Sequence, residues 1–163
     1  MINFQSFHGK VIMIDDFWVQ PNGEQLGCYK LISVQNRYGD LVKFVVSPDT
    51  YFVDHVMLRI GDMVTGFYDA NAPVPMIFPP QFRAIVMARD TQYQKVKVSY
   101  FNRQLVSNDN KLKLNISQCT KIILKNDQAF TKNPANHNLL VVYGFTTMSI
   151  PAQTTPYKII VMC

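Results

Sequence analysis

The chain has 163 residues, 48% of them hydrophobic, and a formal net charge of +5. That composition excludes a disordered chain, because it supplies enough apolar surface for a packed core; the length sets a prior of one domain or two small ones. The charge is divided unevenly: residues 1–88 hold six Lys/Arg against eight Asp/Glu, whereas residues 89–163 hold ten against three. A basic second half invites an acidic partner such as nucleic acid, or serves solubility alone. Val, Ile, Phe and Tyr abound while Ala and Glu are scarce, which predicts mostly β structure. Cys28, Cys119 and Cys163 are an odd set without close spacing, so neither a disulfide framework nor a zinc site is expected. No signal-peptide pattern, membrane-length apolar run or prenylation box is read, and the expectation is a cytoplasmic protein.

The first predicted strand covers residues 9–14. A loop with Asp15, Asp16, Pro21, Asn22 and Gly23 follows, carrying Phe17 and the only tryptophan, Trp18. Residues 28–34 and 41–46 flank Asn36-Arg37-Tyr38-Gly39-Asp40, which predicts a hairpin. In its second run Val42, Phe44 and Val46 alternate with Lys43 and Val45, placing one face in the core. A turn at 47–50 and a short strand at 51–53 come next. Gly61-Asp62 opens a strand over 63–68, residues 69–80 form a proline-rich loop, and residues 82–88 form a last strand.

Beyond a junction near 89–93 the order repeats. Residues 95–100 match the first strand, Asn108-Asp109-Asn110 the hairpin turn, and residues 111–117 match 41–47. At that shift Lys113 falls on Lys43, Ser117 on Ser47 and Thr120 on Thr50. Residues 139–145 match the strand at 63–68, with Tyr143 on Tyr68, and residues 157–163 fall on 82–88. The expectation is an all-β chain of two tandem small five-stranded barrels related by internal duplication, over residues 1–89 and 93–163. The junction lacks a Gly/Ser spacer.

Three strands, a connector, a strand, a loop and a strand, with Gly61-Asp62-x-Val64 before the fourth, resembles the OB-fold, a five-stranded Greek-key barrel. The string Phe67-Tyr68-Asp69-x-Asn71-x-Pro73-x-Pro75-x-Ile77-x-Pro79-Pro80-Gln81 resembles proteins of Gram-positive spore-forming bacteria. That second resemblance implies no activity.

The chain lacks a His-Glu-x-x-His, a nucleophile elbow, a P-loop and a dinucleotide glycine string, and no catalytic residue, metal ligand or cofactor is predicted. Asp54-His55 reads as a surface turn rather than a base with its orienter, and Asp15-Asp16 as loop acids rather than cation ligands. In the loop at 69–80, Met76, Ile77 and Phe78 stand on a stiff, proline-fixed stretch that suits a binding lip; the bland alternatives are a cap over the barrel end or burial of the seam between the two copies. With Phe17 and Trp18 they are the candidate contacts for a protein partner or a second copy. The corresponding second loop, 146–156, is more polar.

In the basic half, Lys95, Lys97, Lys111 and Lys113 alternate with core positions, and Arg103 and Lys121 extend the same field. Such a stripe suits phosphates, or merely discourages edge pairing. Nucleic-acid readers add stacking rings, and this half offers only Tyr93, Phe101 and Tyr157. The leading expectation is therefore a non-enzymatic binding or assembly module with protein contacts through the proline-rich loop. Single-stranded nucleic-acid binding by the basic half, and an enzyme with a cleft between barrels, are the alternatives. No membrane association is expected.

Overall fold

The structure is a computed structural model that describes residues 1–17 and 27–163; Trp18, Pro21, Asn22 and Gly23 lie outside the described residues. The chain forms two compact units, Met1–Asp90 and Thr91–Cys163. Among the described residues there are strands and one 3₁₀ turn, with no α-helix.

The first unit is a seven-stranded sheet. Its strands are β1 (Phe4–Asp16), β2 (Lys30–Gln35), β3 (Leu41–Val46), β4 (Tyr51–Phe52), β5 (Met63–Asp69), β6 (Gln81–Arg83) and β7 (Val86–Arg89). The order across the sheet is β4-β7-β5-β1-β2-β3-β6. β1 is long enough to serve two neighbours: residues 4–10 run antiparallel to β5, and residues 10–16 antiparallel to β2. Its register shifts between Val11 and Met13, the mark of a bulge that bends the strand from one partner to the other. At Gly9 a Cβ would sit 2.4 Å from the Gln35 carbonyl oxygen. Only glycine lets the backbone at the end of β2 come that close to β1. Asp15 and Asp16 are thus strand residues rather than loop acids, and Asp16 pairs with Lys30 across the ladder.

The alternation read in residues 41–46 places Val42, Phe44 and Val46 in the core, with Val45 buried as well. Phe44 is fully buried among Val11, Val34, Val64 and Met87. The turn before it is built by Asn36, whose side-chain oxygen accepts the amides of Tyr38 and Asp40 at 3.0 and 2.9 Å. Gly39 supplies the positive φ that this turn needs.

The second unit has a four-stranded sheet and a separate two-stranded one. Its strands are β8 (Lys95–Phe101), β9 (Leu112–Leu114), β10 (Lys121–Leu124), β11 (His137–Tyr143), β12 (Ala152–Thr154) and β13 (Lys158–Val161). The larger sheet runs β10-β13-β11-β8, and β12 lies parallel to β9. Leu139, Val141, Ile159, Phe101, Leu112 and Leu114 make its core.

These ladders overturn the expected pair of five-stranded barrels, and the OB-fold resemblance with it. The chain is all-β but arranged as mixed sheets with solenoid-like parallel returns, not as barrels. The closing run of the first unit, read as one strand over 82–88, is two; that of the second, read over 157–163, is the single strand β13, with β12 inside the stretch read as a loop over 146–156. In the first unit Gln81–Arg83 pairs with β3, while Val86–Arg89 pairs with β5 and β4. Between them the amide of Ala84 bonds Val45 and that of Ile85 bonds Phe67, so the chain changes neighbours within two residues. In the second unit Pro156, which has no amide to donate, falls between β12 and β13, and the two strands belong to different sheets.

The hydrogen bonds also correct the residue-by-residue matching of the two halves. Thr50 Oγ1 donates to the Ala84 carbonyl and Thr120 Oγ1 to that of Pro156, each at 2.8 Å. Each threonine oxygen also accepts the amide of its own serine, Ser47 or Ser117. Tyr51 and Lys121 then donate their amides to Ile85 and Tyr157. Ile85 therefore corresponds to Tyr157, three residues from where the shared Ile-Val-Met string aligns the closing strands. Likewise the counterpart of the Asn36 turn is Asn102, whose side-chain oxygen accepts the amides of Gln104 and Val106; it is not Asn108-Asp109-Asn110. Leu105 takes the positive φ there.

Candidate functional site

The loop joining β5 to β6 is held at both ends. At its start the Asp69 carboxylate accepts the amides of Asn3 and Asn71 at 3.0 and 2.9 Å, and Ala70 donates to the Asn3 carbonyl. At its end the Pro80 carbonyl accepts the Lys43 amide at 2.9 Å. Between these clamps Pro73, Pro75, Pro79 and Pro80 fix their own φ angles. The loop is therefore ordered before any partner arrives, and binding costs little further entropy.

Met76 and Phe78 are almost entirely exposed and Ile77 about half exposed. Met76 and Phe78 therefore cap nothing, while Ile77 is half covered; the barrel end that a cap would close is itself absent from the fold. Beside the loop's first half lies a cavity of about 280 Å³, lined by Pro73, Val74, Pro75, Phe17, Asp49 and Arg83 among others. The structure thus brings Phe17 to the proline loop, but against Pro73–Pro75 rather than Met76, Ile77 and Phe78. Trp18 falls outside the described residues. Arg83 and Asp49, which give the cavity charges of both signs, carried no sequence signal: one sits on a short strand and the other in a turn, and only the parallel β3–β6 pairing draws these segments together.

The basic candidates divide. Lys97 is only 25% exposed at its side chain and is paired with Asp109. Partial burial alone would raise the Asp109 carboxyl, but the bonds from Lys97, the Ser107 hydroxyl and the Lys111 amide outweigh it and hold it below its usual value. Lys95 and Lys97 lie on β8, at one edge of the four-stranded sheet, and Lys121 opens β10 at the other edge. Lys113 lies on β9 in the separate small sheet, with Lys111 just ahead of it, and Arg103 is in the Asn102 turn. The six do not form one stripe. Phe101, one of the rings read as outward, is fully buried, whereas Tyr93 and Tyr157 are exposed. The second loop is less polar in space than in sequence: Phe145, Met148 and Ile150 all project into solvent.

Two polar clusters stand out among the described residues. Asp54 and His55 sit in the exposed 3₁₀ turn Val53–His55, both with positive φ. A cluster that the sequence reading missed joins β1, β5 and the end of β7. His8 Nδ1 lies 2.9 Å from Asp90 and 3.2 Å from Thr65 Oγ1, which itself donates to Asp90. Both partners address the same ring nitrogen, whereas a nucleophile–base–acid relay uses both nitrogens. The register of the long β1, not any motif, makes this contact. Among the described residues no group of three His, Cys, Asp or Glu is placed to hold a metal ion. The three cysteines are exposed and unpaired as disulfides, and no helix among the described residues is long and apolar enough to cross a membrane.

No protein-family model matches the chain, and no curated protein is similar to it. The resemblance to proteins of spore-forming bacteria, read from residues 67–81, is accordingly not supported.

Proposed function

We propose that the chain is a non-enzymatic binding or assembly module that grips a protein partner through the loop between β5 and β6. The observation that carries this reading is the exposure of Met76 and Phe78 on a loop clamped at both ends. Large apolar side chains are costly to leave in water, about 1.5–3 kcal/mol each relative to burial. On a pre-ordered loop that energy is available to a partner with little entropic offset. Apolar anchors of this kind supply most of the energy in protein interfaces, and the adjoining cavity, with Arg83 and Asp49, provides polar contacts for register.

The test is site-specific photocrosslinking in the cells that make the protein. A benzophenone amino acid replaces Phe78 in one version and Tyr38, an exposed ring on the β2–β3 turn, in another. The expected result is one discrete adduct from position 78 that is absent from position 38. An adduct of twice the chain's mass identifies the partner as a second copy. No adduct, or the same pattern from both positions, overturns the reading.

A further inference from the structure

We propose, resting on the loop as the gripping surface, that its partner is a second copy of this chain and that the receptor is an aromatic cleft in Thr91–Cys163. The ladders build this cleft. Tyr143 closes β11 opposite Lys95, which opens β8. Tyr157, just before β13, donates its amide to the Val142 carbonyl. The chain beyond Tyr143 and the chain before Lys95 then enclose a cleft of about 450 Å³, walled by Tyr93, Phe145, Tyr157, Gln92, Gln94 and Lys95 among others. Tyr93 and Phe145 are largely exposed and Tyr157 about half exposed. A Cβ on Gly144 would overlap the Tyr157 hydroxyl, so that ring lies against the Gly144 backbone.

Three features select the occupant. First, a groove walled by rings suits a proline-rich segment, which is apolar and already stiff. The loop between β5 and β6 presents Pro73, Pro75, Met76 and Phe78, all exposed. Second, the polar groups match. The carbonyls of residues 73–79 accept no hydrogen bond among the described residues, and prolines have no amides to meet acceptors. The side chains of Gln92, Gln94 and Lys95 bring donors to the cleft. Third, the charges fit. Residues 70–80 carry no charge, so the cleft receives the loop without burying one. Met1–Asp90 holds seven Lys/Arg against nine Asp/Glu, whereas Thr91–Cys163 holds nine against two. The first unit of one copy therefore attracts the second unit of the next, while two second units repel. This favours a head-to-tail contact, which repeats from copy to copy, over a symmetric pairing of the basic units.

Sedimentation velocity of the full chain tests the contact, in reductant so that the three exposed cysteines do not cross-link copies. The wild-type chain is expected to form oligomers that grow with concentration. Met76→Asp/Phe78→Asp spoils the loop tip, and Tyr93→Ala/Phe145→Ala removes only exposed rings of the cleft. Each variant alone is expected to associate roughly 30-fold or more weaker than wild type, leaving monomers. Mixed, the two have one intact cleft and one intact loop between them, so they pair 1:1 and stop there; that heterodimer also shows both variants to be folded. Met57→Asp/Ile60→Asp, at exposed apolar residues outside the loop and the cleft, leaves the wild-type oligomers in place. A wild-type chain that stays monomeric up to its solubility limit overturns the proposal. So do oligomers that survive either the loop or the cleft variant, oligomers that Met57→Asp/Ile60→Asp disrupts equally, and a mixture that does not pair. If the wild type is monomeric, a discrete adduct of another mass from position 78 rejects only the second copy and keeps the loop as the gripping surface, whereas no adduct rejects both.

Discussion

Gly66→Ala tests the packing logic of the first unit. Gly66 lies on β5 directly beneath the Phe44 ring, and a Cβ there would come within 2.5–2.8 Å of three ring carbons. Ordinary contact begins near 3.4 Å, so the ring must retreat by about 1 Å. It has nowhere to go: Phe44 is fully buried, and Tyr68 at 6.3 Å from it is itself stacked on Phe82 at 4.0 Å. Overpacking of this kind costs about 1–3 kcal/mol, offset by about 0.4–1 kcal/mol from the lower chain entropy of alanine in the unfolded state. The net loss, roughly 0–2.6 kcal/mol with a mid-range of about 1.3 kcal/mol, should at that mid-range lower the melting temperature of a unit this size by roughly 5–10 °C. Urea unfolding of the whole chain reads it, followed by tryptophan fluorescence, because the only tryptophan lies in the sequence of the first unit. Phe44→Leu in the same chain shortens the ring and should recover part of the loss, so the double variant is less destabilised than the sum of the singles. A Gly66→Ala protein as stable as wild type, or strict additivity with Phe44→Leu, would refute the close approach.

Thr120→Val removes the bond to the Pro156 carbonyl and leaves the Ser117 amide without its acceptor; a loss of about 1–3 kcal/mol is expected in denaturant unfolding, with Thr120→Ser recovering most of it. Asp109 is held below its usual carboxyl value when folded. Its ionised form therefore adds stability that is fully present above the unfolded value of about 3.9 and is lost as pH falls through the lower folded one. Melts of wild type and Asp109→Asn should differ at pH 7 and converge in acid; a constant gap down to pH 3 would contradict this. Met76→Asp/Phe78→Asp should leave the unfolding midpoint within about 0.5 kcal/mol of wild type while abolishing the crosslink from a probe at Ile77, since both side chains are exposed. A large destabilisation would instead mean that these side chains pack in the fold.

Composition and alternation determined the class of this protein. β-branched and aromatic residues at period two, punctuated by Gly, Pro and Asn, specify strands locally, and β3 falls on its predicted bounds. The Ser47/Thr50 and Ser117/Thr120 correspondence was legible because each serine–threonine pair closes its own turn through bonds three residues apart. The proline loop was legible because proline acts on its own backbone. What the sequence left open was every choice between competing partners. The string Ile-Val-Met occurs in both closing runs, yet similar apolar residues fit several registers, and only the carbonyls of Ala84 and Pro156 meeting Thr50 and Thr120 decide which. Whether residues 81–89 make one strand or two depends on Val45 and Phe67, distant in the chain, competing for adjacent amides. The same holds for the sites. Lys97 carries a charge in any sequence, but Asp109 claims it only once the turn after β8 folds back. Tyr93, Phe145 and Tyr157 share no motif, and their cleft exists because strand pairing, a long-range property of backbone hydrogen bonds, brings three chain segments to one end of a sheet.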